Sequence, residues 1–476
     1  MSTVEYHHYI PQFLLRNFAH DYKARPGKKK PNPGPKIYPG NKVLNAVNMV
    51  PDDPEFVETQ VKRTFGQNDM YKDGSVLPAG QWNDVEKKLG QLENAASRVF
   101  RKITDAHRTD QPDVHLTDVE YGVLRKFVFA MKLRSTLFFR TFNHQRIEDY
   151  TENDTEKLRT YMQKKKHTRP IDVWLETIVE ILGIEFDEKD EWALKLQDRI
   201  YGPHAIWAQM VMRLMYPVVC TPSEADEEFV LSEHAYSLHE GPVIPGSIWT
   251  EFHILCILAP RLALLLRSDL LPEVVEDRDE TIKKQKEKDL HECMQKYPEP
   301  SDAKSLFHDL PVAKPRYTYT RDNNNRLVLN GSGVVCEKLS LPIFRFDSEI
   351  IQLINSLILE EAFDLSMIVF ESRHALRLAL EAYLSRPITT GRFSMKRLSR
   401  HTADARLVYL KKLEHVAQML GSKVEAVYKP AIVTTLLPRE MAVGIALDQF
   451  TIEGNEPLPC HHHHAGQVRQ RSDPSM

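Results

Sequence analysis

The residues best suited to chemistry lie near the start of the chain, where residues 7–18 read HHYIPQFLLRNF. An imidazole can act as a general base, a metal ligand or a phosphate contact. In an extended segment, adjacent side chains point to opposite faces, so His7 and His8 cannot easily bind one metal ion together. We therefore expect one histidine to serve a site while the other packs. In the alternative interpretation, both bond buried backbone and fix this segment to the core.

Two arginines extend this set of candidates. Arg16 follows an apolar run, so we expect its stem to be covered and its guanidinium to seek an anion. Glu86 or Glu93 is the internal partner that we expect, and a substrate anion is the alternative. Arg134 lies on a helix that is predicted to be buried, where a charge needs a partner. The same two alternatives apply to Arg134.

Carboxylates and a short turn complete the candidates for a metal site. Glu86 and Glu93 lie two helical turns apart, about 10 Å along the axis, which is too far to share one ion on that helix alone. One of them would need a histidine and the Glu233-His234 turn to form a mixed site that activates water. A divalent metal is the cofactor that such a site would take. The candidate metal ligands are His8, Glu86, Glu93 and Glu233.

The catalytic and binding candidates follow from the same residues. No Gly-x-Ser-x-Gly elbow surrounds Ser232, so a serine nucleophile is not expected, and no glycine-rich phosphate loop is present. Ser232 is instead a candidate for substrate binding, together with the two arginines. The predicted catalytic residues are His7, His8, Glu93 and His234, and the predicted substrate-binding residues are Arg16, Arg134 and Ser232.

Composition limits the class of protein. The chain has 476 residues, of which 42% are hydrophobic and 27% charged, with a formal net charge of -3. This balance provides no global field that attracts nucleic acid or an anionic membrane. Five scattered cysteines argue against a disulfide framework and favour a reducing compartment. We find neither a signal peptide nor an apolar run long enough for a membrane span, so the cytoplasm or nucleus is expected.

Hydrophobic periodicity predicts a mostly α fold with a small, mainly antiparallel sheet, an α+β class. Thr117 and Glu120 form a capping-box pattern that starts a helix expected to run to about Phe142. We expect a core domain over 1–385, a helical extension over 386–454 and a disordered tail over 455–476. Loop insertions are predicted near 23–35, 151–172 and 273–316. Further helices are predicted over 11–19, 56–65, from 83, over 171–182, 188–215 and 402–420, and over 347–384 as one long helix or a helix pair. Strands are predicted over 228–232, 251–257 and 263–266.

The opening motif resembles the signature of domain-of-unknown-function family 4238, His-His-x-x-Pro-x-Phe-x-Leu-Arg-x-Phe. The helix with Glu86 and Glu93 looks like the Glu-x6-Glu helix of that family, and Arg134 matches its buried arginine. Residues 229–236, FVLSEHAY, resemble a strand and turn of the family, but Glu-His-Ala replaces its Asp-Asn-Pro. The resemblance covers roughly residues 5–375. It implies a mostly helical architecture with a small sheet and identifies no reaction.

Two functions remain open from the sequence. In the first, the His, Glu and Arg residues line a polar pocket of a metal-assisted hydrolase, with phosphodiesters as the substrate class that we expect. In the second, the same residues form a buried structural network in a binding or interaction module. The basic stretches 25–30, 163–169 and 392–400 would contact nucleic acid if they align in space, but each is more often a solvated loop. The sequence does not indicate an oligomeric state.

Overall fold

The computed structural model describes fifteen segments of the chain: 6–23, 37–71, 82–152, 154–186, 191–236, 238, 240, 251–274, 276–295, 305–319, 326, 337–363, 365–387, 395–396 and 403–428. The chain divides into two units, Met1–Val433 and Thr434–Met476, and all described residues belong to the first. The predicted tail over 455–476 and nearly all of the predicted loop at 23–35 lie outside the described residues. The domain boundary near residue 385 stays a prediction.

Helices dominate the described residues. Five of them end within one residue of a predicted end, at Phe142, Leu182, Leu214, Ser385 and Met419, and two others lie inside the predicted loop insertions at 151–172 and 273–316. In chain order they are α1 Gln12–Leu15, α2 Trp82–Arg108, α3 Asp118–Leu133, α4 Thr136–Phe142, α5 Thr155–Lys165, α6 Pro170–Leu182, α7 Glu191–Arg199, α8 Gly202–Leu214, α9 Glu280–Gln295, α10 Ser348–Glu361, α11 Arg373–Ser385 and α12 Ala403–Met419.

Strands are distributed along the whole described chain. They are β1 Tyr6–His8, β2 Ala19–Asp21, β3 Lys42–Asn48, β4 Glu55–Gln60, β5 Gly66–Asn68, β6 Asp113–Leu116, β7 Met215–Pro222, β8 Leu231–Ser232, β9 His253–Ala259, β10 Leu262–Ser268, β11 Arg316–Tyr319, β12 Glu337–Phe346 and β13 Met367–Phe370.

In the described chain these strands form three sheets. The first is two-stranded and contains β1 and β5. The second has six strands in the order β11-β12-β7-β10-β9, and β6 also pairs with β12. The third has five strands in the order β2-β3-β13-β8, and β4 also pairs with β3. The pairs are antiparallel except β12 with β7, which is parallel. The α+β class is therefore confirmed, whereas the prediction of one small sheet is wrong.

The core is built around α3, which contacts α2, α6, α8 and β12. The Thr117 side chain accepts from the Glu120 backbone, and the Glu120 carboxylate accepts from the Thr117 N–H, as the capping box predicts. The helix ends at Leu133, short of the predicted end. Ser135 caps α4 by accepting from the Phe138 N–H, so the chain turns between the two helices. Arg134 occupies this turn.

The helix prediction over 56–65 is wrong, and the prediction over 347–384 misses a strand, because apolar runs do not distinguish strands from helices. The stretch over 56–65 forms β4, followed by a short 3-10 turn. The stretch over 347–384 is a helix pair, α10 and α11, with β13 between its two helices. Both strands pair with β3: β4 follows it directly in the chain as a hairpin, whereas β13 is far away in sequence.

Candidate functional site

The histidine pair lies on β1, which pairs antiparallel with β5 so that His7 is opposite Gln67. Alternation along the strand buries His7 and leaves His8 half-buried, as the extended interpretation predicts. This pairing depends on Gly66. A Cβ atom there would lie 2.5 Å from the Tyr6 ring and 2.7 Å from the His7 carbonyl oxygen, so β1 could not approach this closely.

His7 is held from two sides. Its Nε2 lies 3.1 Å from a carboxylate oxygen of Glu86, and its ring stacks on Tyr71 with centroids 5.3 Å apart. The Tyr71 backbone N–H donates to Nδ1 at 3.5 Å. Since α2 provides Glu86, His7 joins the first strand to the long helix. These contacts are those of a packing and anchoring side chain.

Arg134 connects the same two elements through a second set of contacts. Its guanidinium pairs with Glu93 and donates to the His8 carbonyl oxygen. The Arg134 side chain is 5% exposed and that of Glu93 28%. Burial alone would lower the pKa of Arg134, but Tyr71 and Glu93 reverse the shift and raise that pKa. Arg134 is therefore a charged clamp, and its expected ion pair with Glu93 is confirmed.

The His8 imidazole faces a different partner. Its Nδ1 lies 3.1 Å from the Thr64 carbonyl oxygen, and its ring meets Tyr6 edge to face at 5.1 Å. Burial lowers the pKa of His8, the Thr64 carbonyl opposes that shift and Arg134 adds to it. His8 is consequently expected to be neutral at pH 7, with an Nδ1–H that donates to Thr64.

Arg16 does not join this network. It follows α1 directly, lies exposed, and donates to the Gln12 side chain at 3.4 Å. The predicted ion pair with Glu86 or Glu93 is wrong for this arginine. The reason is the shortness of α1, whose continuation as a 3-10 turn buries Phe18 and turns Arg16 outward.

The predicted turn at 232–234 sends its side chains in different directions. The fully buried Ser232 hydroxyl has no hydrogen-bond partner among the described residues. Glu233 accepts from the Ser366 hydroxyl, and the Glu361 carbonyl oxygen lies 3.0 Å from Nδ1 of His234. Asn355 fixes the segment just before β8, because its side chain accepts from the Val230 N–H and donates to the Glu228 carbonyl.

The candidate metal ligands are not assembled into one centre. In the described part of the chain, no group of three or more His, Cys, Asp or Glu side chains is placed to hold one ion. His7 contacts Glu86, while Glu93 contacts Arg134 and Glu233 contacts Ser366. The assignments of catalytic and metal-binding roles stay predictions from the sequence.

A cavity of about 290 Å³ does open beside β1, and we call it the N-terminal cavity. Five separate parts of the described chain build it: β1 with Tyr9, the segment 63–67, α4, the turn that carries Glu233 and the turn that carries Ser366. Its lining residues are Tyr6, Tyr9, Arg63, Thr64, Phe65, Gly66, Gln67, Thr136, Arg140, Glu233, Ser366 and Met367.

The charged groups of the N-terminal cavity are two guanidiniums and one carboxylate. Arg63 and Arg140 are exposed at its edge, and Glu233 is half-buried. Burial raises the pKa of Tyr6 and of Tyr9, and the nearby Glu233 carboxylate raises both further. Both phenols are therefore neutral and serve as hydrogen-bonding groups at pH 7.

Thr136, the first residue of α4, also lines the cavity. The residue is 6% exposed, and its buried hydroxyl oxygen has no hydrogen-bond partner within the described residues. A buried hydroxyl without a partner costs about 1–3 kcal/mol, so such groups need an explanation. A ligand in the N-terminal cavity that bonds this hydroxyl would supply one.

The sequence thus identified the frame of the cavity better than its lining. Glu233 is the one predicted site residue in its lining, which does not include the predicted histidines or Arg134. Arg63 and Arg140 were missed. The only sequence signal for Arg140 is its place on the predicted apolar helix, and Arg63 lies in a stretch predicted as helix that forms a turn after β4.

Comparison with known proteins gives one match. The family model described as "Protein of unknown function (DUF4238)" matches residues 6–374. Since this covers well over half of the chain, the chain belongs to that family, as the opening motif indicated. No curated protein and no solved structure matches it. None of the helices in the described part has the length and apolar character needed to cross a membrane.

Proposed function

We propose that this member of the DUF4238 family binds a small anionic molecule in the N-terminal cavity. The observation that carries the proposal is the lining of that cavity, which includes the guanidinium side chains of Arg63 and Arg140 and the polar residue Thr136. Guanidiniums bind carboxylates and phosphates through paired N–H groups. A volume of about 290 Å³ suits a metabolite rather than a polymer segment.

In this proposal the His, Glu and Arg residues of the opening motif act as structural supports. His7 with Glu86 and Arg134 with Glu93 hold β1 against α2, and β1 forms one wall of the cavity. This combines the binding-module alternative with a defined ligand site. It also gives the motif a role that needs no chemistry at the imidazoles.

Ligand binding can be measured by thermal shift and calorimetry on the full chain, with inorganic phosphate, succinate and propyl phosphate as probes. A ligand that binds the folded state raises the melting temperature with its concentration. We expect each bound probe to raise the melting temperature in a saturable way. We expect its affinity, measured by calorimetry, to fall at least tenfold in Arg140→Gln and in Thr136→Val. Arg146→Gln is the control, since Arg146 is 71% exposed and pairs with Asp149 away from the cavity lining. Absence of stabilisation by every probe, or equal weakening in the control, would refute the proposal.

Metal-assisted hydrolysis of phosphodiesters is the catalytic candidate from the sequence. It requires at least one imidazole and one carboxylate to meet at an ion. Turnover of bis(p-nitrophenyl) phosphate with Mg²⁺, Mn²⁺ or Zn²⁺, lost in both His8→Ala and Glu93→Gln while they stay folded, would favour it. A gel-shift assay would test whether the chain binds nucleic acid. Microscopy of the tagged chain would test the predicted cytoplasmic or nuclear location.

A further inference from the structure

The N-terminal cavity contains both signs of charge, which narrows the ligand class. Arg63 and Arg140 supply positive charge, and the Glu233 carboxylate supplies negative charge. A simple anion would be attracted by the two guanidiniums and repelled by Glu233. A ligand with an ammonium group beside its anionic group would satisfy all three.

The Glu233 carboxylate is fixed in place before any ligand binds. It accepts from the Ser366 hydroxyl, and it is hydrogen-bonded to the Tyr9 phenol. Both donors are neutral, so they orient the carboxylate without adding a positive charge that would neutralise it. The two oxygens of a carboxylate offer about four acceptor positions, and these two bonds use half of them.

The supports of Glu233 are themselves rigid. Tyr9 is 6% exposed and packs on Phe65, with ring centroids 6.3 Å apart. Ser366 directly precedes β13, and its carbonyl accepts from the Met49 N–H at 2.8 Å. A charge held this firmly loses little conformational entropy when a ligand binds, so it discriminates between ligands more sharply than a mobile side chain.

We infer that the ligand is a small amino-bearing anion, with its anionic group at Arg63 and Arg140 and its ammonium group at Glu233. This inference rests on the anion site proposed above and adds the selectivity that Glu233 imposes. The shared chemistry is an ammonium beside either a phosphate or a carboxylate. A 290 Å³ cavity accommodates an amino acid or an amino-alkyl phosphate.

Isosteric pairs of probes test the inference. For the phosphate arm, calorimetry compares 2-aminoethyl phosphate with propyl phosphate. For the carboxylate arm, it compares aspartate with methylsuccinate. In each pair the two molecules have similar shapes and differ by the ammonium group. We expect the amino-bearing member of at least one pair to bind about tenfold more tightly, which corresponds to about 1.4 kcal/mol.

Glu233→Gln is the diagnostic variant, because it keeps the shape of the side chain and removes its charge. We expect it to abolish the preference for the amino-bearing probe while it binds propyl phosphate or methylsuccinate at least as well as the wild type. Glu156→Gln is the control, since this side chain is 84% exposed. If the anions bind but the wild type shows no preference for the amino-bearing probe of either pair, the inference is wrong and the anion site stands. The same conclusion follows if Glu233→Gln retains that preference. If no probe binds at all, the proposed function itself has failed.

Discussion

Replacing Arg134 with methionine should detach the opening segment from the rest of the fold. Arg134 pairs with Glu93, which is 41 residues away, and donates to the His8 carbonyl, which is 126 residues away. Methionine keeps the length of the apolar stem but loses both interactions. The variant would leave Glu93 without its guanidinium and the carbonyl without this donor.

The expected loss can be worked out from the burial of the pair. Breaking a buried ion pair by removing one partner costs about 3–5 kcal/mol. Because the Glu93 side chain is 28% exposed, water screens it and the lower end of the range applies. Loss of the charged hydrogen bond to the carbonyl adds about 1.5 kcal/mol. We therefore expect the free energy of unfolding to fall by about 4.5 kcal/mol in Arg134→Met.

A double-mutant cycle with Glu93→Leu isolates the pair. If the two charges stabilise each other, removing both should cost much less than the sum of the single losses, with a coupling energy of at least about 2 kcal/mol. Urea unfolding followed by far-UV circular dichroism measures all four proteins, provided that their m-values agree.

The control cycle uses Arg159→Met and Glu148→Leu, a pair whose side chains are 35% and 60% exposed. Exposed pairs couple by about 1 kcal/mol or less. A coupling between Arg134 and Glu93 no larger than that of this surface pair would refute the structural role of the motif.

Three further predictions concern single positions. Asn355→Ala should lower the free energy of unfolding by about 3 kcal/mol in urea titrations, because it leaves the Val230 N–H and the Glu228 carbonyl without their partner. A loss below about 1 kcal/mol would argue against this role of Asn355. Burial lowers the pKa of His204 to about 3, so the folded state favours the neutral imidazole. The free energy of unfolding should therefore be unaffected by this imidazole above pH 6.5 and should fall by about 2 kcal/mol between pH 6.5 and 5. In His204→Gln this part of the pH dependence should be absent. If the wild type and the variant show parallel pH profiles of stability, the prediction is wrong. Gly66→Ala should lower the stability of the fold by about 1–3 kcal/mol, because the added Cβ clashes with Tyr6, and it should weaken binding of the anionic probes. Gly90→Ala is the control: its Cβ position has open space, so this variant should be neutral or stabilising in thermal melts.

Local sequence signals predicted local structure well. The capping box at Thr117 starts α3 at the expected residue, and the periodic stripe after Asn83 is the long helix α2. These features depend on contacts within three or four residues. β4 was mistaken for helix although its partner β3 directly precedes it, because apolar runs are compatible with either structure. β13 was missed because its partner β3 lies far away in the chain.

The same distinction applies to the site. The sequence determined that the opening segment is extended, that His7 and His8 cannot share one face, and that Arg134 needs an anion, since each follows from strand geometry or the cost of a buried charge. Only the tertiary structure decided that Glu93 is that anion, that Arg16 points outward, and that a cavity opens where five segments of the chain meet. Such a choice depends on side chains that approach one another after the chain has folded. Spacing along the sequence does not encode it.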